Sequence, residues 1–261
     1  MFLGLFFINP TKRWVSYSTD KKEIPNLKIV TFNVKGGKFG ENNIERFIDT
    51  QNADVVFLQE DAEAEYHFKN LKRQYKIPVV SLYSKHKIVG HKDLIVGEYE
   101  GFNAYSDQTD IEIQGKTYRF INTYLQPFKF EKSMVKLNGN SGEDEKKIKD
   151  IIRKLIPTFK MHQEQVHMIR KSIDRSPFPV ILAGDLNSVP NSYEYYHLSE
   201  GLKDAFFEAG KGSGTSFHDY KFPLRIDYIF TSKSIKPIHY KIDYSVELSD
   251  HYPVIAEFLL N

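Results

Sequence analysis

The chain has 261 residues, with 36 lysines and arginines against 34 aspartates and glutamates, and no cysteine. That length suits one large domain with a deep core or two small ones, and a net charge of +2 excludes a protein that holds nucleic acid by bulk charge alone. The lack of cysteine excludes disulfides, thiolate catalysis and cysteine-ligated zinc or iron–sulfur centres, and leaves the compartment open.

Residues 1–8 (MFLGLFFI) are apolar but far short of the roughly 20 residues that span a bilayer. They also lack the basic start and small-residue cleavage site of a signal peptide. They read as an edge strand or tail, or as the last turns of a membrane anchor. Residues 9–26 are polar, hold two prolines, and read as a linker. The expected division is therefore a tail over 1–26 and one catalytic domain over 27–261, with membrane association only through an upstream anchor. The alternating, β-branched run 27–34 (LKIVTFNV) predicts a strand. Residues 43–51 predict a helix with Ile44, Phe47 and Ile48 on one face and Asn42 or Asn43 as its cap. The continuous apolar run 53–59 predicts a buried strand.

Further strands are expected over 77–83 and 94–99, and a hairpin over 111–125 turning at Gly115. After an acidic loop or helix start at 139–145, apolar residues recur at helical spacing from Ile148 to Ile173. They predict one long helix or two, with Pro157 marking a kink or break. Strands follow over 179–183, 225–231 and 254–260. Strands that bracket a helical block, with no repeat or internal linker, indicate a layered α/β domain.

Five apolar strands end in residues able to bind a cation or move a proton: Asn33 in TFNV, Glu60 in FLQED, Asp185 and Asn187 in LAGDLN, Asp227 in RIDYIF, and Asp250–His251 in SDHYP. Ligand sites in layered α/β proteins gather at strand ends. Singly, each is as well explained by a cap or a turn. Together they form an oxygen-rich donor set with one histidine, better suited to Mg²⁺ or Mn²⁺ than to zinc. A cation to offset phosphate charge, an acid–base pair and neutral donors are what phosphoryl hydrolysis requires.

The combination LAGDLN, RIDYIF and SDHYPV, completed by TFNV and FLQE, resembles the endonuclease/exonuclease/phosphatase (DNase I-like) superfamily over about residues 27–260. The layout is most similar to bacterial members of unassigned substrate. The resemblance implies a four-layer α/β sandwich, two mixed sheets face to face with helices outside. It implies Glu60 as the principal Mg²⁺ ligand, with Asn33 beside it and Asp250 completing the shell. It implies His251 on the scissile phosphate or as general base, Asp227 fixing its tautomer, Asp185 on the attacking water and Asn187 donating to a phosphate oxygen. Which of Asp185 and His251 is the base stays open.

Where many members carry a second histidine, FINTYLQP has Tyr124, as abasic-site endonucleases do. A phenol can donate to phosphate but is a weak acid at neutral pH. Lys85 in YSKHKI is a candidate phosphate contact, and Asn191 and Ser192 are candidates for the cleft border. Tyr193, Tyr195 and Tyr196 suit base stacking or core packing. Residues 146–160 hold six basic residues against Asp150, a solvated face or one turned toward phosphate or lipid. His162, His167 and His218 show no metal-like pattern. The expected activity is a Mg²⁺-dependent (or Mn²⁺-dependent) phosphodiesterase or endonuclease, with nucleic acid as one substrate class and no obligate protein partner. The alternatives are an inositol-phosphate phosphatase or sphingomyelinase-type phospholipase, and a catalytically inactive binding module.

Overall fold

The computed structural model describes residues 9–61, 64–75, 77–97, 101–128, 141–219, 222 and 224–260; the apolar run at 1–8 lies outside the described residues. Two mixed sheets form the centre. One has five strands in the order β12 (Lys236–Ile242), β13 (Val254–Leu259), β2 (Leu27–Asn33), β3 (Val55–Gln59) and β4 (Val80–Ser84), with β2 and β3 parallel. The other has six, in the order β5 (Lys87–Val96), β6 (Tyr105–Ile113), β7 (Lys116–Tyr124), β8 (Val180–Asp185), β11 (Asp227–Ser232) and β9 (Leu202–Asp204), with β7 and β8 parallel.

Strand alternation builds the layers. Leu27 and Ile29 of β2 and Val55 and Phe57 of β3 meet Phe120 of β7, Ile181 and Ala183 of β8 and Ile229 of β11 between the sheets. The alternate residues Val30, Phe32, Val56 and Leu58 face outward under helix α2 (Glu41–Gln51). Its Ile44 and Ile48 are fully buried, each contributing roughly 1.5–3 kcal/mol. On the far side Ile121, Leu182 and Tyr228 pack under Val166, Ile169 and Ile173 of helix α3 (Ser141–Asp174). Helix, sheet, sheet and helix make the four layers expected from the sequence. Asn122 ties the sheets together. Its side-chain nitrogen donates to the carbonyls of Leu58 (3.1 Å) and Ser81 (2.9 Å), and its oxygen accepts from Gln59 Nε2 (2.7 Å).

Several local expectations need correction. Residues 9–26 are not a plain linker. They include helix α1 (Asn9–Lys12) and β1 (Val15–Tyr17), which pairs antiparallel with β10 (Lys211–Ser213). Helix α2 starts two residues early, after Gly40 at φ 103°, and neither asparagine caps it; Asn43 Nδ2 donates to the Phe39 carbonyl instead. The strand expected at 94–99 begins at Lys87 and ends at Val96, and residues 98–99 lie outside the described residues. Register shifts at Ile88/Gly90 and Asp93/Ile95 break its alternation. At Pro157, where the sequence left one helix or two, helix α3 is the single long one and runs through without a break. The proline forfeits one backbone hydrogen bond, and the buried face beyond it holds the helix in place. Strand β12 was missed because Pro237 disguises it; the strand is at the sheet edge and shifts register there.

Candidate active site

The period of two that fills the core also aims the polar residues. Asn33 follows Leu27, Ile29 and Thr31 on the inner face of β2, and Asp185 follows Ile181 and Ala183 on β8. Asp227 precedes Ile229 on β11, and Tyr124 follows Phe120 and Asn122 on β7. Tyr124, Asp185 and Asp227 stand side by side across three strands, since β7 pairs Tyr124 with Asp185 and β11 pairs Asp227 with Asp185. The site thus lies where the inner faces of both sheets run out. Gly184 allows the close strand approach beside it: its φ is 140°, and a Cβ there would meet the Thr123 carbonyl oxygen at 2.0 Å.

Asn33 is buried at the centre. Its side-chain nitrogen donates to Glu60 Oε1 (3.0 Å) and to Asp185 Oδ2 (3.1 Å), and its oxygen accepts from the Lys35 backbone N–H (3.1 Å). Asn33 therefore sits beside Glu60 as a bridge that holds two carboxylates. Glu60, Lys35 and Asn187 all have positive φ, at 49°, 46° and 47°. Such strain persists where surrounding structure imposes it, and here it rings the site.

The buried trio Asp185, Asp227 and His251 has ligand-type atoms within 4.8 Å of one another. His251 Nδ1 hydrogen-bonds Asp227 Oδ2 at 2.9 Å, and its Nε2 lies 3.8 Å from Asp185 Oδ2. Burial disfavours the imidazolium, yet Asp227 and then Asp185 hold its proton, raising its pKa to about 10. Burial pushes Asp185 up to about 7; His251 opposes that rise and Asp227 adds to it. The Asn187 N–H donates to Asp185 Oδ1 at 2.7 Å, while the Asn187 side-chain nitrogen donates to the Leu125 carbonyl at 2.8 Å. Tyr124 is buried, and burial, then the charges of Glu60 and Asp185, raise its pKa far above that of a free phenol. It is a hydrogen-bond donor at every working pH.

Glu60 and Asp250 are carboxylates that could hold a divalent cation. Both carboxylates border the same cavity, and Asp250 already holds a cation, since Lys35 Nζ donates to its Oδ2. Burial raises the Asp250 pKa, but that hydrogen bond and the nearby His251 charge outweigh it and leave Asp250 below its usual value. The same contact raises the Lys35 pKa, with Asp219 and Glu60 adding to it. The buried trio is a second group of side chains whose atoms could hold a metal ion.

Three sequence candidates stand apart from this centre. Lys85 follows β4 at the sheet end opposite Glu60, with Nζ on the Asn52 carbonyl and side-chain oxygen, both at 2.7 Å. It is not at the site; alternation cannot say which end of a strand faces the cleft. The Asn191 side-chain oxygen accepts from Arg13 Nη1 at 2.5 Å, turned toward α1. Ser192 borders the cleft, but its Oγ caps helix α4 (Tyr193–Ser199) by accepting from Tyr195 N. Tyr195 is core and Tyr193 borders the cleft. Sequence reading missed Lys35, whose only signal was its place two residues after Asn33. It also missed His162, buried between Glu194 (2.7 Å) and the Gln126 carbonyl (2.6 Å).

Beside His251 opens a cavity of about 620 Å³. Glu60, Asn187, Asp250 and His251 form its polar end, and Phe128, Leu155, Phe159, Val189, Phe217 and Leu224 are among its apolar walls.

The four-layer fold recurs in solved structures at low identity. An endonuclease/exonuclease/phosphatase from Bacteroides vulgatus aligns at TM-score 0.66 and 16% identity, over 90% of this chain and 99% of that one. The mannosyl-6-phosphatase of Bacteroides thetaiotaomicron aligns at 0.64 and 17%, over 90% and 100%. D. rerio TDP2 complexed with a single-strand DNA product aligns at 0.62 and 16%, over 89% and 98%. No curated protein matches the sequence. The model of the Endonuclease/Exonuclease/phosphatase family matches residues 30–251, which takes in every residue of the buried site, and the chain belongs to that family of phosphoester-cleaving enzymes.

Proposed function

We propose that the chain is a divalent-cation-dependent hydrolase of phosphodiester bonds, with Asp185 as the base that activates water. The observation that carries this reading is the contrast between two proton sites 3.8 Å apart. Asp185, raised to about 7, can accept a proton near neutrality, whereas His251, raised to about 10, keeps its own. His251 is then a buried cation facing the phosphoryl oxygens, oriented by Asp227. Asn33 and the Asn187 N–H hold the Asp185 carboxylate, and Tyr124 supplies a neutral donor.

Glu60 and Asp250 would hold Mg²⁺ or Mn²⁺, which supplies Lewis-acid stabilisation of phosphoryl charge when bound. Asn33 positions Glu60 for that role. The carbon-lined cavity favours a substrate with an apolar part over a uniformly charged polynucleotide. The test is a hydrolysis panel of plasmid DNA, an inositol polyphosphate, a choline phospholipid and a generic phosphodiester, each with Mg²⁺, Mn²⁺ or EDTA. Metal-dependent cleavage of a diester is expected. Glu60→Gln should raise the Mg²⁺ concentration for half activity, and an unchanged titration would remove Glu60 from the ligands.

A further inference from the structure

Helix α3 carries an exposed surface beside this site. Its Ile152, Ile156 and Phe159 are 50%, 46% and 44% exposed. Spacings of four and three residues line them up in one stripe along the helix. Lys149, Arg153 and Lys160, all exposed, run beside that stripe. Residues 145–160 hold six basic and two acidic residues, more net charge than the +2 of the whole chain, so the rest of the molecule is net acidic. An exposed apolar stripe bordered by cations is the pattern of a helix that lies in a lipid interface.

One further observation points the same way. Leu155 and Phe159 of this helix are walls of the 620 Å³ cavity whose polar end is Glu60, Asp250 and His251. The stripe and the reacting centre are therefore joined by one apolar passage.

We propose that α3 docks the protein on an anionic lipid surface through Ile152, Ile156, Phe159 and their basic border, so that the phosphoester it cleaves is presented there with its apolar part in the cavity. This rests on the hydrolase reading above. The apolar stripe enters the acyl boundary while the lysines meet anionic headgroups, an attraction that salt weakens. Nucleic acid would explain the lysines but leave the isoleucines in water.

The test is co-sedimentation of the full chain with vesicles of phosphatidylcholine, with and without phosphatidylglycerol. Binding is expected to the anionic vesicles, at least ~10-fold above phosphatidylcholine alone, and to fall with salt. Lys149→Glu/Arg153→Glu/Lys160→Glu and Ile152→Ser/Ile156→Ser should each weaken it by ~10-fold or more. Both variants should keep wild-type turnover of soluble bis(p-nitrophenyl) phosphate. Absence of anionic-vesicle binding, or binding undiminished in both variants, overturns the proposal. So does a dimer that Ile152→Ser/Ile156→Ser disperses without any vesicle binding, which assigns the stripe to a second copy. Binding lost on removing residues 1–8 but kept in the α3 variants overturns it in favour of the N-terminal run. A wild-type protein that binds vesicles yet cleaves no phosphoester would sink the hydrolase reading and leave the docking result standing.

Discussion

Replacing Lys35 with methionine tests the proposed cation site at Glu60 and Asp250 without any turnover. Lys35 Nζ is bound to Asp250 Oδ2 and lies in the field of Glu60 and Asp219. A divalent ion held by Glu60 and Asp250 would compete with this ammonium for Asp250 and then tolerate its charge. Two unit charges 4 Å apart interact by about 1 kcal/mol in water and about 4 kcal/mol at an effective dielectric of 20, and a divalent ion doubles the figure. The Lys35 side chain is 32% exposed, which favours the weak end of that range. Removing it should tighten ion binding by roughly 1–2 kcal/mol, about 5- to 30-fold in dissociation constant. Titration calorimetry with Mn²⁺ on the substrate-free protein reads this directly, and Lys35→Arg should leave the affinity near wild type. An affinity that is unchanged or weaker in Lys35→Met would refute the placement of the ion at Asp250 and Glu60.

Asp227→Asn removes the nearer carboxylate holding the His251 proton, so the His251 pKa should fall measurably by NMR titration and kcat should drop by ~10²-fold or more; an unmoved His251 pKa would contradict the assigned pair. Gly184→Ala places a Cβ against the Thr123 carbonyl at 2.0 Å, on a backbone at φ 140°. It should cost more than about 3 kcal/mol in urea unfolding, and a loss below about 1 kcal/mol would show that β7 and β8 can move apart. Asp107 on β6 is pushed up to about 7, chiefly by burial. The folded state then binds its proton more tightly than the unfolded chain, so the stability it lends is complete below about pH 4 and is lost as pH rises to about 7. Asp107→Asn should raise the melting temperature more at pH 8 than at pH 5; equal shifts at both would show that the carboxyl titrates normally.

The site was legible from sequence to the extent that it obeys strand periodicity. Asn33, Asp185 and Asp227 continue the inward-facing series of their strands, so the pattern that fills the core also lines the cleft. His251 and Asp250 lie outside the named strands, so the sequence grouped them with the other strand-end residues but alternation could not say which way they face. Lys35 was invisible because its role depends on a left-handed turn after β2 that brings its ammonium to a residue 215 positions away. Lys85 was misplaced because alternation gives the face of a strand but not which end meets the cleft. Helix α3 is legible as amphipathic, but sequence left one helix or two at Pro157, since it does not weigh one lost hydrogen bond against the buried face beyond it. The pairing of β1 with β10 joins segments nearly 200 residues apart, and neither three-residue strand has a pattern long enough to recognise.

The most direct test of the account is Mg²⁺-dependent turnover of bis(p-nitrophenyl) phosphate by the wild-type protein and by Asp185→Asn, across pH. The account predicts hydrolysis that EDTA abolishes, an acidic limb in the rate profile governed by a group near pH 7, and a loss of at least ~10²-fold in Asp185→Asn with the fold intact. Near-wild-type turnover in Asp185→Asn would contradict it.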